Sequence, residues 1–181
     1  YPDGALPETA HETLHQLAQD ILGAPDQPLI ARTVWLSRFI ALIPALVEQE
    51  RDWRTRNSVQ SFVEREGEAH LIGQTNLSAK ADRIDRLREG GWAVIDYKTG
   101  TIPSTKDMAE GRKVQLTLEA SILNAGGFKG IQGTARSLVY RRLAKDMNTS
   151  ILDQDVETTA QFVLDRLRGL VASYLEAGRS Y

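Results

Sequence analysis

The 181-residue chain is long enough for one domain around a single core, and its 41% hydrophobic and 25% charged residues are ordinary for a globular protein. It has no cysteine, which excludes disulfides, thiolate zinc sites, iron–sulfur clusters and a cysteine nucleophile. The formal net charge is −2, whereas autonomous nucleic-acid-binding domains usually carry a basic excess. We therefore expect a folded protein with little nucleic-acid affinity of its own, whose metals, if any, are held by oxygen or imidazole.

The ends and the hydropathy of the chain suggest its context. No apolar run approaches the roughly 20 residues that span a bilayer, and no basic-then-apolar leader opens the sequence. We expect no contact with a membrane and, by default, a cytoplasmic location. The sequence begins with Tyr1 rather than methionine, which suggests a fragment of a longer polypeptide.

Two helical segments open the chain. Residues 8–22 carry leucine and isoleucine at helical spacing, with His11 and His15 one turn apart. Residues 29–54 form a longer amphipathic pattern that has Trp35 on its apolar side and a kink expected at Pro44. This N-terminal helical part extends to about residue 58.

Short alternating segments then predict a sheet. Strands are expected at residues 62–66, 69–73, 77–87, 92–98 and 134–143, and helices at 112–124 and 158–177. The predicted catalytic core covers about residues 59–145, and the closing helix about 156–178. This order of elements predicts one mixed α/β domain.

The hairpin between the third and fourth predicted strands brings two acidic residues together. Its turn, Arg88-Glu89-Gly90-Gly91, aligns Asp82 with Asp96 if it is centred on Glu89. Side-chain roots of directly opposed residues lie about 4.5–5.5 Å apart, so one cation can bridge the two carboxylates. Because side chains alternate along a strand, Lys98 lies on the same face as Asp96.

This arrangement has a chemical and a structural interpretation. Two adjacent carboxylates repel each other unless a cation or proton joins them, and hard oxygen ligands suit Mg²⁺ or Mn²⁺. Asp96 and Lys98 also have the sequence spacing of an ordinary exposed ion pair. The chemical interpretation is favoured because Asp96 follows Trp92-Ala93-Val94-Ile95, a run typical of a strand buried on both faces.

The same residues carry a family resemblance. Ala81-Asp82-Arg83-Ile84-Asp85, Val94-Ile95-Asp96-Tyr97-Lys98-Thr99-Gly100 and a helical Gln115 resemble the RecB-like branch of the PD-(D/E)xK nucleases. Gln115-Leu116-Thr117-Leu118-Glu119-Ala120 and the following Ala125-Gly126-Gly127-Phe128 look most like the C-terminal nuclease domain of AddB, a subunit of the bacterial AddAB helicase–nucleases. The resemblance covers residues 62–143 best. It implies a restriction-endonuclease-like core with a mixed sheet flanked by helices, preceded by extra N-terminal helices.

The resemblance also implies roles for single residues. Asp82 and Asp96 would bind Mg²⁺, the Tyr97 carbonyl would add a ligand, and Lys98 would contact the attacking water or the scissile phosphate. Gln115 would orient the site. Glu64 resembles an acidic residue that precedes the metal strand, with Glu66 and Glu68 as alternatives of the same strand parity, and His11 resembles a metal-binding histidine, with His15 as its alternative.

One acidic residue departs from the family pattern, and another has no role in it. Glu119 stands where many relatives have tyrosine and faces either the site or solvent. Asp85 falls on the opposite strand face from Asp82, which favours a structural role, paired with an arginine.

The expected activity is metal-dependent hydrolysis of DNA phosphodiesters. The resemblance implies that it is exonucleolytic and acts in the repair of double-strand breaks and in recombination. The resemblance implies an AddA-like helicase–nuclease partner subunit that delivers the DNA. The main alternative is a catalytically silent nuclease-fold module for assembly or DNA guidance. Retention of Asp82, Asp96 and Lys98 argues against that alternative, because nothing else in the sequence requires all three.

Overall fold

A mixed sheet with helices on both faces organises residues 4–176, the part of the chain that the computed structural model describes. The bounds of its elements are α1 (Ala10–Leu22), a π-helical turn (Ala31–Trp35), α2 (Leu36–Arg56), β1 (Ser58–Ile72), β2 (Thr75–Leu87), β3 (Trp92–Lys98), α3 (Thr105–Ala109), α4 (Gln115–Asn124), β4 (Ala135–Arg142), β5 (Thr149–Leu152) and α5 (Val156–Leu175). Tyr1 and the predicted helical residues 177 and 178 lie outside the described residues.

Within residues 4–176 the five strands follow chain order, β1-β2-β3-β4-β5. Neighbouring strands are antiparallel except β3 and β4, which run parallel. A parallel pair needs a crossover connection, and here α3 and α4 supply it. The mixed sheet that the family resemblance implied is therefore confirmed.

Each face of the sheet has its own apolar core. On one face Ile84, Val94 and Leu138 pack with side chains of α4 and α5, including Leu116 and Ala160. On the other face a smaller cluster forms around Trp53 of α2, which packs on Ala93, Ile95 and Val139. The prediction that β3 is buried on both faces is confirmed, because every residue from Trp92 to Asp96 is buried.

The structure merges two of the predicted strands and adds two elements that the sequence did not predict. Residues 62–66 and 69–73 belong to one long strand, β1, that passes through Gly67 without a break. A Cβ at Gly67 would overlap the ring of Phe128, so this glycine permits a close approach and does not mark a turn. The two additional elements are α3 and β5, which are both short.

The start of the long helical segment also differs from its prediction. Trp35 is 53% exposed and does not pack in the core. It ends the π-helical turn, and this wider turn shifts the side-chain phase relative to the regular repeat on which the prediction was based. Pro44 lies inside α2. Among the described residues, no helix has both the length and the apolar character needed to cross a bilayer.

Candidate active site

The β2–β3 register places two acidic residues at one edge of the hairpin. Arg83 pairs with Ile95 and Ile84 with Val94, the alignment predicted from a turn centred on Glu89. The next step outward in this register brings Asp82 across from Asp96. The Asp82 carboxylate accepts a hydrogen bond from the Tyr97 backbone N–H at 3.1 Å.

An irregularity in β1 and β2 explains why the Asp82 side chain, rather than its backbone, accepts the hydrogen bond from the Tyr97 N–H. Ala81 and Ile84 pack into the same core although strict alternation would put them on opposite faces, so the side-chain phase slips between them. Pairing with β1 is recorded on both sides of Asp82 but not at Asp82 itself. Glu64, in the corresponding position of β1, has a positive φ of 51°. Asp82 therefore leaves the regular ladder, and its carboxylate is directed toward β3.

The centre of the site is a hydrogen-bonded trio of Asp96, Lys98 and Gln115. Lys98 Nζ lies 2.9 Å from Asp96 Oδ1 and 3.0 Å from Gln115 Oε1, and it donates to both. Gln115 Nε2 donates to the same Oδ1 at 2.6 Å. Asp96 is only 2% exposed, whereas the Lys98 side chain is 36% exposed. Three predicted site residues therefore meet where β3 and the start of α4 approach each other, and Asp82 binds the backbone of Tyr97, between Asp96 and Lys98.

Glu119 is the acidic residue whose direction the sequence left open, and it faces the site. It lies one turn after Gln115 on α4, is 3% exposed, and its Oε1 accepts a hydrogen bond from Gln115 Nε2 at 3.2 Å. Burial, together with the negative charges of Asp96 and Asp82, raises the pKa of the Glu119 carboxyl to about 7, against the opposing effect of the hydrogen bond from Gln115. The helical spacing of Gln115 and Glu119 was the available signal, but the face of α4 that met the sheet was unknown.

The raised pKa of Glu119 makes the stability of the metal-free protein depend on pH. The folded state binds this proton more tightly than the unfolded state, so the stabilisation is complete below the ordinary pKa of 4.5 and is lost as the pH rises through 7. Glu119→Gln removes this dependence. In EDTA at pH 8 we expect the free energy of unfolding of Glu119→Gln to be higher than that of the parent by up to about 3 kcal/mol. At pH 4 we expect a much smaller difference.

Urea unfolding at both pH values measures this difference. Glu48→Gln changes an exposed glutamate and serves as the control. Equal pH dependence in the parent and in Glu119→Gln would contradict the buried, raised carboxyl.

The opposite face of the same strands carries a buried ion-pair network. Arg83 donates to Asp85 Oδ1 and Oδ2 at 2.7 and 2.6 Å, and Trp53 Nε1 donates to Oδ2 at 2.7 Å. Arg83 also contacts Glu50 of α2 at 2.8 Å and the Tyr97 hydroxyl at 3.0 Å. The predicted structural role of Asp85, paired with an arginine, agrees with these contacts.

Arg141, near the end of β4, also belongs to this network. It is 1% exposed, donates to Glu50 Oε2 at 2.8 Å, and its guanidinium lies 4.9 Å from the centre of the Trp53 ring. A side chain buried in this way cannot reach a phosphate in solution. Arg136 and Lys145 are exposed, and Arg142 pairs with Asp146 at 2.6 Å.

The remaining predicted site residues lie apart from the trio. The Glu64 carboxylate is exposed and pairs with Lys80 at 2.6 Å, and Glu68 accepts from Asn76 at 2.6 Å. Glu66 and His11 are exposed. Within residues 4–176 no three His, Asp or Glu side chains converge as a ready ligand set. The roles assigned to Glu64 and His11 remain predictions.

The donor atoms of the site fit a hard divalent cation. Two buried carboxylate oxygens, Asp96 Oδ2 and Glu119 Oε2, accept no hydrogen bond within the described residues. Asp96 Oδ2 lies 2.8 Å from Lys98 Nζ but without hydrogen-bond geometry. Carboxylate oxygens are the ligands that Mg²⁺ and Mn²⁺ prefer, and buried acceptors without donors need a partner.

Comparison with known proteins places this geometry in a family. The chain is 28% identical over 120 residues to an uncharacterized protein of Rickettsia bellii and 30% identical over 118 residues to one of Rickettsia conorii. These alignments cover 65% and 64% of the chain but only 14% of each relative, so the chain spans a small part of the relatives' length. The family model described as the PD-(D/E)XK nuclease superfamily matches residues 2–179, nearly the whole chain. The mixed sheet flanked by helices is consistent with that superfamily's restriction-endonuclease-like fold, and the chain belongs to the PD-(D/E)XK nuclease superfamily.

Proposed function

We propose that this chain is a Mg²⁺-dependent deoxyribonuclease domain that hydrolyses phosphodiester bonds at the edge of β3. The observation that carries the proposal is the convergence of Asp96, Lys98 and Gln115 through three hydrogen bonds, with Asp82 beside them. A buried carboxylate, a partly exposed ammonium and an amide are the groups that a charged phosphate reaction needs in one place. Membership in a nuclease superfamily supports the same reaction class.

The residues divide into metal-binding and positioning groups. Asp82 and Asp96 would hold Mg²⁺, or Mn²⁺ in its place, with the Tyr97 carbonyl and His11 as further proposed ligands. The cation would supply positive charge to the phosphate and would acidify a water molecule. Gln115 connects Asp96 to Lys98 and keeps both side chains in place. Glu64 retains a proposed accessory role.

Lys98 is the proposed catalytic cation. In hydrolysis a water oxygen bonds to phosphorus, one phosphorus–oxygen ester bond breaks, and the proton lost by water balances the proton gained by the leaving oxygen. Charge grows on the phosphate oxygens during this exchange. The exposed part of the Lys98 side chain allows Nζ to turn from Asp96 toward such an oxygen and to donate a hydrogen bond to it.

The proposal extends to the biological setting of the nuclease. We infer an exonuclease that acts in the cytoplasm in double-strand break repair and recombination, as the AddB-like part of a helicase–nuclease complex with an AddA-like subunit. The motifs around Asp82, Asp96 and Gln115 support this assignment. The net charge of −2 also supports delivery of DNA by a larger assembly, because the chain lacks a basic excess of its own.

A cleavage assay tests the proposed activity. The purified chain should degrade linear single- or double-stranded DNA in Mg²⁺ or Mn²⁺ and should lose all cleavage in EDTA. If no cleavage is seen, metal binding measured by calorimetry distinguishes the two possible reasons. No cleavage and no metal binding would favour the silent module, whereas metal binding without cleavage would assign the activity to the larger assembly.

A further inference from the structure

A cavity adjoins the trio of Asp96, Lys98 and Gln115, and the reaction described above assigns no role to it. Its volume is about 370 Å³, and it lies between the loop after β3 and the first residues of α4. Lys98 and Gln115 form its wall toward the site, and Ile102, Pro103, Lys113 and Val114 form much of the rest. Any molecule in this cavity is therefore next to the proposed catalytic cation.

The loop that forms the cavity is held in place by its own hydrogen bonds. Ser104 begins α3 with a capping box in which its backbone N–H donates to Asp107 Oδ2 at 3.2 Å and the Asp107 N–H donates to Ser104 Oγ at 3.1 Å. Arg112 Nε donates to the other Asp107 oxygen at 2.9 Å. These bonds satisfy the acidic side chain of the cavity and neutralise its charge.

The charge that remains in the cavity is positive. Within residues 4–176 Lys113 is exposed and has no ion-pair partner, whereas Arg112 is engaged by Asp107 and Glu110. Lys98, on the side of the trio, is paired with Asp96 and adds no unpaired charge. With Asp107 already paired, the free ammonium of Lys113 favours an anionic ligand such as a phosphate.

The remaining walls are apolar and suit a flat ring or a sugar. Ile102 and Pro103 are half-buried, and Val114 is 40% exposed. The volume is near the lower end of the roughly 300–1,000 Å³ of small-molecule sites, so it suits one nucleotide and is too small for a base pair with both backbones. Apolar contact with a base or a sugar is independent of sequence, as expected of a nuclease that degrades DNA generally.

We propose that this cavity seats one unpaired nucleotide of the DNA substrate beside the scissile phosphate, with Lys113 binding the flanking phosphate and Ile102 and Val114 contacting the base or sugar. The proposal rests on the proposed nuclease function and adds a substrate preference to it. Since a paired base cannot enter, the site takes a single strand or a frayed end, and a duplex must be unpaired first.

Binding of deoxythymidine 5′-monophosphate in EDTA tests the cavity without requiring cleavage. We expect backbone amide shifts in NMR spectra at Lys113, Val114 and Gln115, and weaker shifts with inorganic phosphate, which lacks the base and sugar. Lys113→Ala should weaken binding of the nucleotide about fivefold, the effect of one exposed charge contact. Lys129→Ala changes an exposed lysine outside the cavity and should leave binding unchanged.

Kinetics on a single-stranded oligonucleotide provide the second test. Lys113→Ala should raise KM with little change in kcat, because the lysine binds substrate without touching the reacting atoms. Absence of shifts in the cavity, or equal nucleotide affinity of Lys113→Ala and the parent, would overturn the proposal even if the parent cleaves DNA. Nucleotide binding in the cavity by a parent that neither binds Mg²⁺ nor cleaves DNA would instead overturn the proposed function alone.

Discussion

Lys98→Ala is expected to lower kcat for metal-dependent DNA cleavage by at least about 10²–10³-fold, the cost of removing one donor that stabilises transition-state charge. Lys98 Nζ is the cationic group of the trio, 2.9 Å from Asp96 and 3.0 Å from Gln115. No other described lysine contacts Asp96, so the loss has no local replacement within residues 4–176. Initial rates on a labelled oligonucleotide at saturating Mg²⁺ measure the effect.

Two controls separate chemistry from folding in this experiment. Lys129→Ala removes an exposed lysine elsewhere and should cleave like the parent. Asp96→Asn keeps the shape of the acid and can still accept from Lys98, so it should fold but bind Mg²⁺ weakly and cleave poorly. If Asp96→Asn unfolds far below the parent in a thermal melt, Asp96 is structural, and if Lys98→Ala retains the parental rate, Lys98 is not the catalytic cation.

The hairpin that carries the two aspartates was predictable because its determinants are local. The glycines at positions 90 and 91 both have positive φ, as the expected turn requires, and the turn fixes the β2–β3 register. Once the register is set, strand alternation places Asp96 and Lys98 on one face. Sequence alone therefore sufficed for the register of the hairpin and for the shared face of Asp96 and Lys98.

The features that the sequence did not predict depend on contacts between distant segments. Glu119 faces the site because of the angle at which α4 crosses the sheet, which no periodicity reports. The phase slip at Asp82 depends on the backbone of Glu64 in a neighbouring strand. Glu50 lies 33 and 91 residues from its partners Arg83 and Arg141, so its role emerges only after the strands and α2 have packed.

Glu50→Ala is expected to destabilise the protein by about 3–5 kcal/mol at pH 7, the cost of leaving buried cations without their counter-charge. Glu50 contacts Arg54 at 2.6 Å, Arg83 at 2.8 Å and Arg141 at 2.8 Å, and all three guanidinium groups are largely buried. Urea unfolding followed by tryptophan fluorescence measures the loss, since Trp53 bonds directly to Asp85 of the same network.

A second acidic residue of α2, Asp52, provides the control for this prediction. Asp52 forms an exposed ion pair with Arg56 at 3.3 Å, so Asp52→Ala should cost at most about 1 kcal/mol. Similar losses in Asp52→Ala and Glu50→Ala would mean that the buried network contributes no more than a surface pair.

The pH dependence of the stability of Glu50→Ala gives an independent measure of what the buried network contributes. Although burial opposes ionisation, hydrogen bonds and charge from Arg83, with Arg54 and Arg141, lower the pKa of the Glu50 carboxyl to about 2. Its stabilisation is therefore present above the ordinary pKa of 4.5 and disappears as the pH falls through 2. We expect the difference between the parent and Glu50→Ala to shrink steadily between these two pH values.

The buried network also connects stability to the proposed metal site, because it lies on the reverse face of the strands that hold that site. Arg83 follows Asp82 in the chain and donates to the hydroxyl of Tyr97, whose own N–H holds the Asp82 carboxylate. Without Glu50, Arg83 keeps only its bonds to Asp85 and Tyr97, and we expect the β2–β3 edge that carries Asp82 and Asp96 to loosen. In conditions where Glu50→Ala is still folded, we expect it to bind Mg²⁺ more weakly than Asp52→Ala, and equal metal affinity would restrict the network to a role in folding.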